Sequence, residues 1–266
     1  MKTNIFYFSA TGNSLDFAKK LANKLNTNNL DSISELIGND SILCDSERIG
    51  IICPVYAWGL PRIVVDFIEK LRLHGNPYIF AIVSCVGIPG KTLKVVQSIL
   101  RKKGLDLNAG FIIKAPCASL AKKNTLDNII ISLDSKRKHL KTGEERLSEI
   151  VFDIENETLH KPETSSWPAN YFGSIFHEYG MDFFKKASLD FEISDKCAAC
   201  GTCVRVCPRA NIILDSKKPT FSDNCEFCHA CIQWCPEFAI THPNFEPDKK
   251  QYRNPNIKLN ELIVNA

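Results

Sequence analysis

The sequence predicts an α/β protein: a doubly wound parallel sheet with helices on both faces, followed by a small α+β domain built around cysteine. Two observations carry this. Over the first two thirds of the chain, short apolar runs alternate with amphipathic stretches; near the C-terminus, eight of the 12 cysteines fall into two equal runs. Alternation of this kind makes βα units, whose strands lie parallel under helices. With 266 residues, 44% of them hydrophobic, the chain has material for one ordinary domain and a smaller second one.

The strand candidates are residues 4–8, 48–53, 78–84 and 110–114, with a weaker one at 30–33. Each is a short apolar run, as expected of strands buried on both faces. Helix candidates lie between them at 14–25, 61–71 and 91–103. In the first, Leu15, Ala18, Leu21, Ala22 and Leu25 recur at helical spacing. In the second, Pro61 opens the segment, where a first-turn proline is tolerated. Residues 125–159 read as a helix or helix pair covering the sheet, with Leu126, Ile129, Ile130 and Leu133 on one side. Lys161-Pro162-Glu163-Thr164-Ser165-Ser166 is the best domain boundary by composition. After it, residues 167–189 carry Trp167, Phe172, Phe176, Phe183 and Phe184, a helix suited to packing or to a partner surface. The expected organisation is a first domain at 1–162, a linking helical segment at 163–190, a cysteine domain at 191–245 and a tail at 246–266.

A net charge of +3 is too weak to argue for nucleic acid or an anionic membrane surface. The basic runs Arg101-Lys102-Lys103 and Lys136-Arg137-Lys138 read as solvated helix faces. The apolar stretch Ile5-Phe6-Tyr7-Phe8 is a strand's length, short of a signal sequence, and no run is long enough to span a bilayer. The expectation is a cytoplasmic protein with no membrane span. In that reducing compartment clustered cysteines point to metal, not to disulfides.

The two runs are Cys197-Ala-Ala-Cys200-Gly-Thr-Cys203-Val-Arg-Val-Cys207-Pro208 and Cys225-Glu-Phe-Cys228-His-Ala-Cys231-Ile-Gln-Trp-Cys235-Pro236. Both read C-x2-C-x2-C-x3-C-P, and every cysteine of the second follows its counterpart by 28 positions. Three cysteines at two-residue gaps wrap a tight loop around one cubane cluster, with backbone amides turned toward its sulfides. Structural zinc uses two C-x2-C pairs and leaves no third and fourth cysteine at fixed gaps. The pattern is similar to that of bacterial ferredoxins, in which the fourth cysteine of each run ligates the other cluster. That resemblance implies two 4Fe-4S clusters, one on Cys197, Cys200, Cys203 and Cys235, the other on Cys225, Cys228, Cys231 and Cys207.

Parallel sheets of this class bind ligands beyond the carboxyl ends of their strands, so the loops there are the ones to inspect. Ser9-Ala10-Thr11-Gly12-Asn13-Ser14, between the first strand and helix, offers three hydroxyls, a carboxamide and a glycine, with no lysine or arginine. Such a loop serves either as a phosphate cradle at a helix N-terminus or as a plain helix cap. Together with Phe8 it resembles the phosphate loop of flavodoxins, S/T-x-T-G-x-S/T. Nearly the whole chain resembles flavodoxin–ferredoxin fusion proteins, a flavodoxin-like domain preceding a two-cluster ferredoxin.

The resemblance implies FMN. It places Pro54-Val55-Tyr56-Ala57-Trp58-Gly59 beside the isoalloxazine, with Tyr56 or Trp58 stacking on or shielding the ring; packing under the loop is the alternative for both. It places Ser84, Cys85 and Gly87 at the pyrimidine edge, though Ser84-Cys85-Val86-Gly87-Ile88-Pro89-Gly90 lacks an aromatic for that face. Gly90-Lys91-Thr92 imitates the end of a Walker motif, but Cys85 stands where its first glycine is required. There is no G-x-G-x-x-G after a strand, so no nicotinamide site is indicated.

Of the remaining cysteines, Cys53 and Cys85 end strands and read as small buried hydrophobes. The expected function is relay of low-potential electrons between two 4Fe-4S clusters and FMN, with a protein redox partner. The alternative is an FMN-dependent reductase of a small organic substrate, fed by the clusters, with Tyr56 as the nearby proton donor.

Overall fold

A computed structural model describes residues 1–120, 136–166, 170, 177, 180–181, 183–215, 218–245 and 250–264. The chain divides into two compact units. The first comprises Met1–Ser9, Asn13–Pro116 and Ser135–Tyr179; the second comprises Ala10–Gly12, Cys117–Asp134 and Gly180–Ala266.

The first unit is built on β1 (Thr3–Tyr7), β2 (Leu30–Ser32), β4 (Arg48–Pro54), β6 (Tyr78–Cys85) and β7 (Ala109–Lys114). They form one sheet in the order β2-β1-β4-β6-β7, with every pairing parallel. β1 is buried throughout, and β4 and β6 are buried at all but their last residue. This is the pattern of strands covered on two faces, and it explains why they read in the sequence as unbroken apolar runs. Two three-residue strands, β3 (Ile42–Cys44) and β5 (Leu71–Leu73), pair with each other in parallel. Their patterns are too short to register as periodicity.

Among its described residues this unit carries the helices α1 (Asn13–Lys24), α2 (Ile33–Leu36), α3 (Arg62–Lys70), α4 (Thr92–Lys102) and α5 (Lys136–Glu155). α1 packs beside α5, and α3 beside α4. Leu15, Ala18, Leu21 and Ala22 of α1 are buried, as their spacing predicts. Pro61 stands just ahead of α3, its carbonyl accepting from the amides of Val64 and Val65 at 3.0 and 3.2 Å. The helix expected over 125–159 is α5 from residue 136 onward; Leu126, Ile129, Ile130 and Leu133 lie outside the described residues, as do Trp167, Phe172 and Phe176.

Among its described residues the second unit includes the short strands β8 (Glu192–Ile193), β9 (Ile212–Asp215), β10 (Lys218–Phe221) and β11 (Ile240–Thr241) and the one-turn helices α6 (Thr202–Arg205) and α7 (Ala230–Gln233). The sequence repeat is also a backbone repeat. β9 pairs antiparallel with β10 through Ile212 and Phe221; β8 pairs antiparallel with β11 through Ile193 and Ile240, the same positions moved by 28. Left-handed residues recur at the same interval: Ala199 with Phe227 (φ 50° and 51°) and Ala210 with Phe238 (48° and 53°). Ile212, Ile232, Ala239, Ile240 and Phe245 form a small apolar core together with Cys203, Cys231 and Cys235. Among the described residues no helix is long and apolar enough to cross a membrane.

Candidate redox sites

In the first unit, the loops after β1, β4 and β6 leave the same edge of the sheet. This edge includes the switch point where the chain, having gone from β1 outward to β2, returns to β4 on the other side. The Ser14 and Ser84 hydroxyls lie 3.1 Å apart and are both buried, joining the first turn of α1 to the end of β6. The Val55 amide donates to the Ser84 carbonyl at 3.0 Å, so the third loop starts from the same point. Asn13 Nδ2 donates to the Pro116 carbonyl at 3.0 Å. Tyr56 meets Phe8 edge to face, with ring centroids 6.0 Å apart.

The loop after β4 turns back on itself. Tyr56 and Gly59 exchange backbone hydrogen bonds of 3.0 and 2.9 Å, and the two residues between them, Ala57 and Trp58, have φ of 45° and 59°. Two successive positive φ values define a type I′ turn, which ordinarily takes Asn-Gly. Holding alanine and tryptophan there costs about 1–2 kcal/mol per residue, to be met by surrounding structure. That structure includes Gly90 (φ 60°), whose missing side chain admits the Trp58 carbonyl: a Cβ would stand 2.1 Å from that oxygen. Gly90 is itself braced by Ser165, whose hydroxyl accepts from the Gly90 amide at 3.1 Å, and by the Thr164 hydroxyl donating to the Gly90 carbonyl at 3.1 Å. The sequence marks Thr164 and Ser165 only as part of a boundary, because a hydroxyl reaching a loop 75 residues away leaves no local pattern. Cys53 is buried and Cys85 half-buried; burial pushes their thiols up to about 12 and about 11, which leaves them unreactive.

The loop after β1 fits a phosphate ester in its chemistry. Ser9, Thr11 and Ser14 supply hydroxyls, Asn13 a carboxamide, and α1 its first amides and the positive end of its dipole. No acidic residue lies between Ser9 and Leu15. Its apex belongs to the second unit. There the Trp234 indole N–H donates to the Ala10 carbonyl at 3.0 Å and the Asn254 amide to the Thr11 carbonyl at 2.8 Å. Gly12 has φ of 99°, and a Cβ there would stand 2.9 Å from Asn254 Cβ.

The second unit carries two small cysteine-lined cavities. Cys197, Cys200, Cys203 and Cys235 line the first; Cys207, Cys225, Cys228 and Cys231 line the second. Each cavity thus gathers three cysteines of one run and the fourth of the other. Among the described residues no three His, Cys, Asp or Glu side chains converge as a single-ion site requires; the thiols surround a volume, as a multi-iron cluster needs.

Amides are already directed at the sulfurs. Asn211 and Ala239, one repeat apart, donate to Cys207 and Cys235 at 3.3 Å each, and Phe227 donates to Cys225 at 3.2 Å. The Thr202 side chain and amide hold the Cys200 thiol below its ordinary value. Burial pushes the Cys203 and Cys225 thiols up to about 11, and those of Cys228 and Cys231 well above the usual range. Thiols this buried become thiolates only against a compensating cation, which a cluster's iron would supply. The donor sets therefore fit the clusters the spacing implies.

His229, inside the second loop, is buried, its ring 4.6 Å from that of Phe227 and 4.8 Å from that of Phe245.

The comparisons with known proteins follow the same division. A family profile described as a flavodoxin domain matches residues 4–133, and one described as a 4Fe-4S dicluster domain matches residues 190–236. No curated protein matches the chain. Among solved structures, an FMN-dependent NADH-azoreductase from Bacillus anthracis in complex with FMN aligns at 10% identity and a TM-score of 0.36, over 58% of this chain and 99% of its own. Smu.1420 from Streptococcus mutans aligns at 14% identity and 0.35, over 58% and 100%. The Trp repressor binding protein from Bacillus subtilis aligns at 11% identity and 0.33, over 57% and 97%. The chain is a fusion of an N-terminal flavodoxin domain with a C-terminal 4Fe-4S ferredoxin domain, and as such an electron-transfer flavo-iron-sulfur protein.

Proposed function

We propose that this protein relays low-potential electrons between two 4Fe-4S clusters and FMN, exchanging them with a protein redox partner. The observation that carries the reading is the crossed lining of the two cavities, each with four cysteines, on the same chain as the three-loop edge of a flavodoxin sheet. When bound, the clusters supply one-electron sites and FMN a one- or two-electron site.

The chain's own residues bind, orient and shield. Cys197, Cys200, Cys203 and Cys235 would hold one cluster and Cys207, Cys225, Cys228 and Cys231 the other. The amides of Asn211, Phe227 and Ala239 temper the charge on the sulfurs they already reach. Ser9, Thr11, Asn13 and Ser14 would hold the flavin phosphate. The turn Tyr56-Ala57-Trp58-Gly59 offers aromatic area beside the ring, which excludes water and disfavours an anionic reduced flavin. Ser84, Cys85 and Gly87 would face its polar edge. One chain carrying both sites makes transfer intramolecular and independent of protein concentration.

The test is analysis of iron, acid-labile sulfide and flavin in anaerobically purified protein. The expected content is about eight irons, eight sulfides and one FMN per chain. Clusters without FMN, or zinc in place of iron, would refute the relay.

A further inference from the structure

The two cysteine loops are copies in backbone but not in the charges beside them. Next to Cys225 is Glu226, whose side chain is fully buried; two residues beyond Cys207 is Arg209, with 10% of its side chain exposed. Arg209 Nη2 and Nε lie 2.6 and 2.8 Å from Glu226 Oε1, so the pair ties one run to the other. Both residues line the cavity of Cys207, Cys225, Cys228 and Cys231. The positions corresponding to Glu226 and Arg209 in the other copy are Ala198 and Glu237, both exposed. Only one of the two cavities therefore has a buried ion pair in its wall.

We propose that Arg209 and Glu226 tune the reduction potential of one cluster and not of the other, in opposite senses, Arg209 raising it and Glu226 lowering it. The proposal rests on the reading that both cysteine quartets hold 4Fe-4S clusters. Desolvating two charges makes a buried ion pair a weak source of stability, so its occurrence at one copy alone calls for another reason. The step it acts on is the gain of one electron, with no bond made or broken and no proton taken. That step adds one negative charge inside the cavity. A guanidinium in the wall favours the addition and a carboxylate opposes it. Both act with little screening, because solvent and salt are excluded from where they sit. The other cavity has an alanine and a solvated glutamate at those places, and its potential is left to exposure and amide donors.

The experiment is a potentiometric titration of the full-length holoprotein, reduced with dithionite and followed by electron paramagnetic resonance, alongside an iron count. Wild type is expected to give two one-electron waves. Arg209→Gln moves one of them to more negative potential by at least a tenfold change in its reduction equilibrium, about 59 mV for one electron. Glu226→Gln moves the same wave to more positive potential, the other wave stays in place, and Arg209→Lys, which keeps the charge, leaves the wave near its wild-type position. The double variant Arg209→Gln/Glu226→Gln, which leaves no charge unpaired, returns the wave toward its wild-type position. With about eight irons retained, waves that do not move, move together, or move the same way in both single variants overturn the proposal. So does loss of iron in every variant, the double included, which would make the pair structural. About four irons in wild type would instead sink the two-cluster reading on which the proposal stands.

Discussion

Gly201 and His229 occupy the same place in the two cysteine loops, and both are left-handed, with φ of 71° and 63°. The geometry belongs to the loop; the residues meet it differently. Gly201 has open space around it, its nearest neighbour being Leu214 Cδ2 at 4.0 Å from where a Cβ would be. Gly201→Ala therefore gains no packing and carries the bare cost of a left-handed alanine, about 1–2 kcal/mol. His229→Gly relieves a cost of that size but removes a ring packed between Phe227 and Phe245, worth about 2–4 kcal/mol with the cavity left behind. Both variants are expected to be destabilised, as read by denaturant unfolding; a more stable His229→Gly would show that strain outweighs packing.

The proposed crossed ligation makes a sharp forecast for pairs of substitutions. Cys207→Ser combined with Cys228→Ser removes two ligands of one cavity and should leave about four irons. Cys207→Ser combined with Cys203→Ser strikes both cavities and should leave neither cluster intact. If each run instead held its own cluster, the two pairs would exchange outcomes, and an iron count decides.

Gly90→Ala tests the proposed flavin edge. Its Cβ would stand 2.1 Å from the Trp58 carbonyl, so the Ala57-Trp58 turn must open. FMN affinity is expected to fall roughly tenfold or more, since displacing a binding loop by that much costs at least about 1.4 kcal/mol. Quenching of flavin fluorescence on titration measures it, and unchanged affinity would remove this turn from the site.

Gln233 is fully buried in the second unit, with Nε2 donating to the Ala118 carbonyl at 2.7 Å and Oε1 accepting from the Tyr252 amide at 2.6 Å. Gln233→Leu leaves both backbone groups without that partner and should cost about 2–4 kcal/mol. Thermal unfolding of the loaded protein reads the loss; a change below about 0.5 kcal/mol would mean the backbone finds other partners.

His242 supplies a pH dependence. Burial holds its imidazole below the ordinary 6.5, against the opposing pull of Asp190, the Ala187 backbone and Glu192. The unfolded chain then binds more protons than the folded one just below that value. Stability is fully present above about pH 6.5 and is lost as pH falls toward the folded pKa. His242→Gln should lessen the drop between pH 7.5 and 5.5 in urea unfolding, and an equal drop would place the proton elsewhere.

How much of this was legible depended on the range of the interaction. The strands of the large sheet were readable to within about two residues, because an apolar run carries its own signature; β3 and β5, three residues each, have no period to detect. The Ala57-Trp58 turn was hidden because neither residue announces a positive φ, and its cause, Gly90 admitting the Trp58 carbonyl, lies about thirty residues away.

By itself the sequence determined the succession of the large sheet's strands with their main helices and the repeat of 28, since helical spacing, strand runs and cysteine gaps are properties of neighbouring residues. It also supplied the chemistry of the loops, hydroxyls after β1 and aromatics after β4. Tertiary structure decided what distant residues do together: the Ser14–Ser84 contact, the bracing of Gly90 by Thr164 and Ser165, and the burial of Arg209 against Glu226 at one copy of the repeat. Those depend on which segments the packed chain brings into contact and which charges it takes out of water, and no local pattern records either.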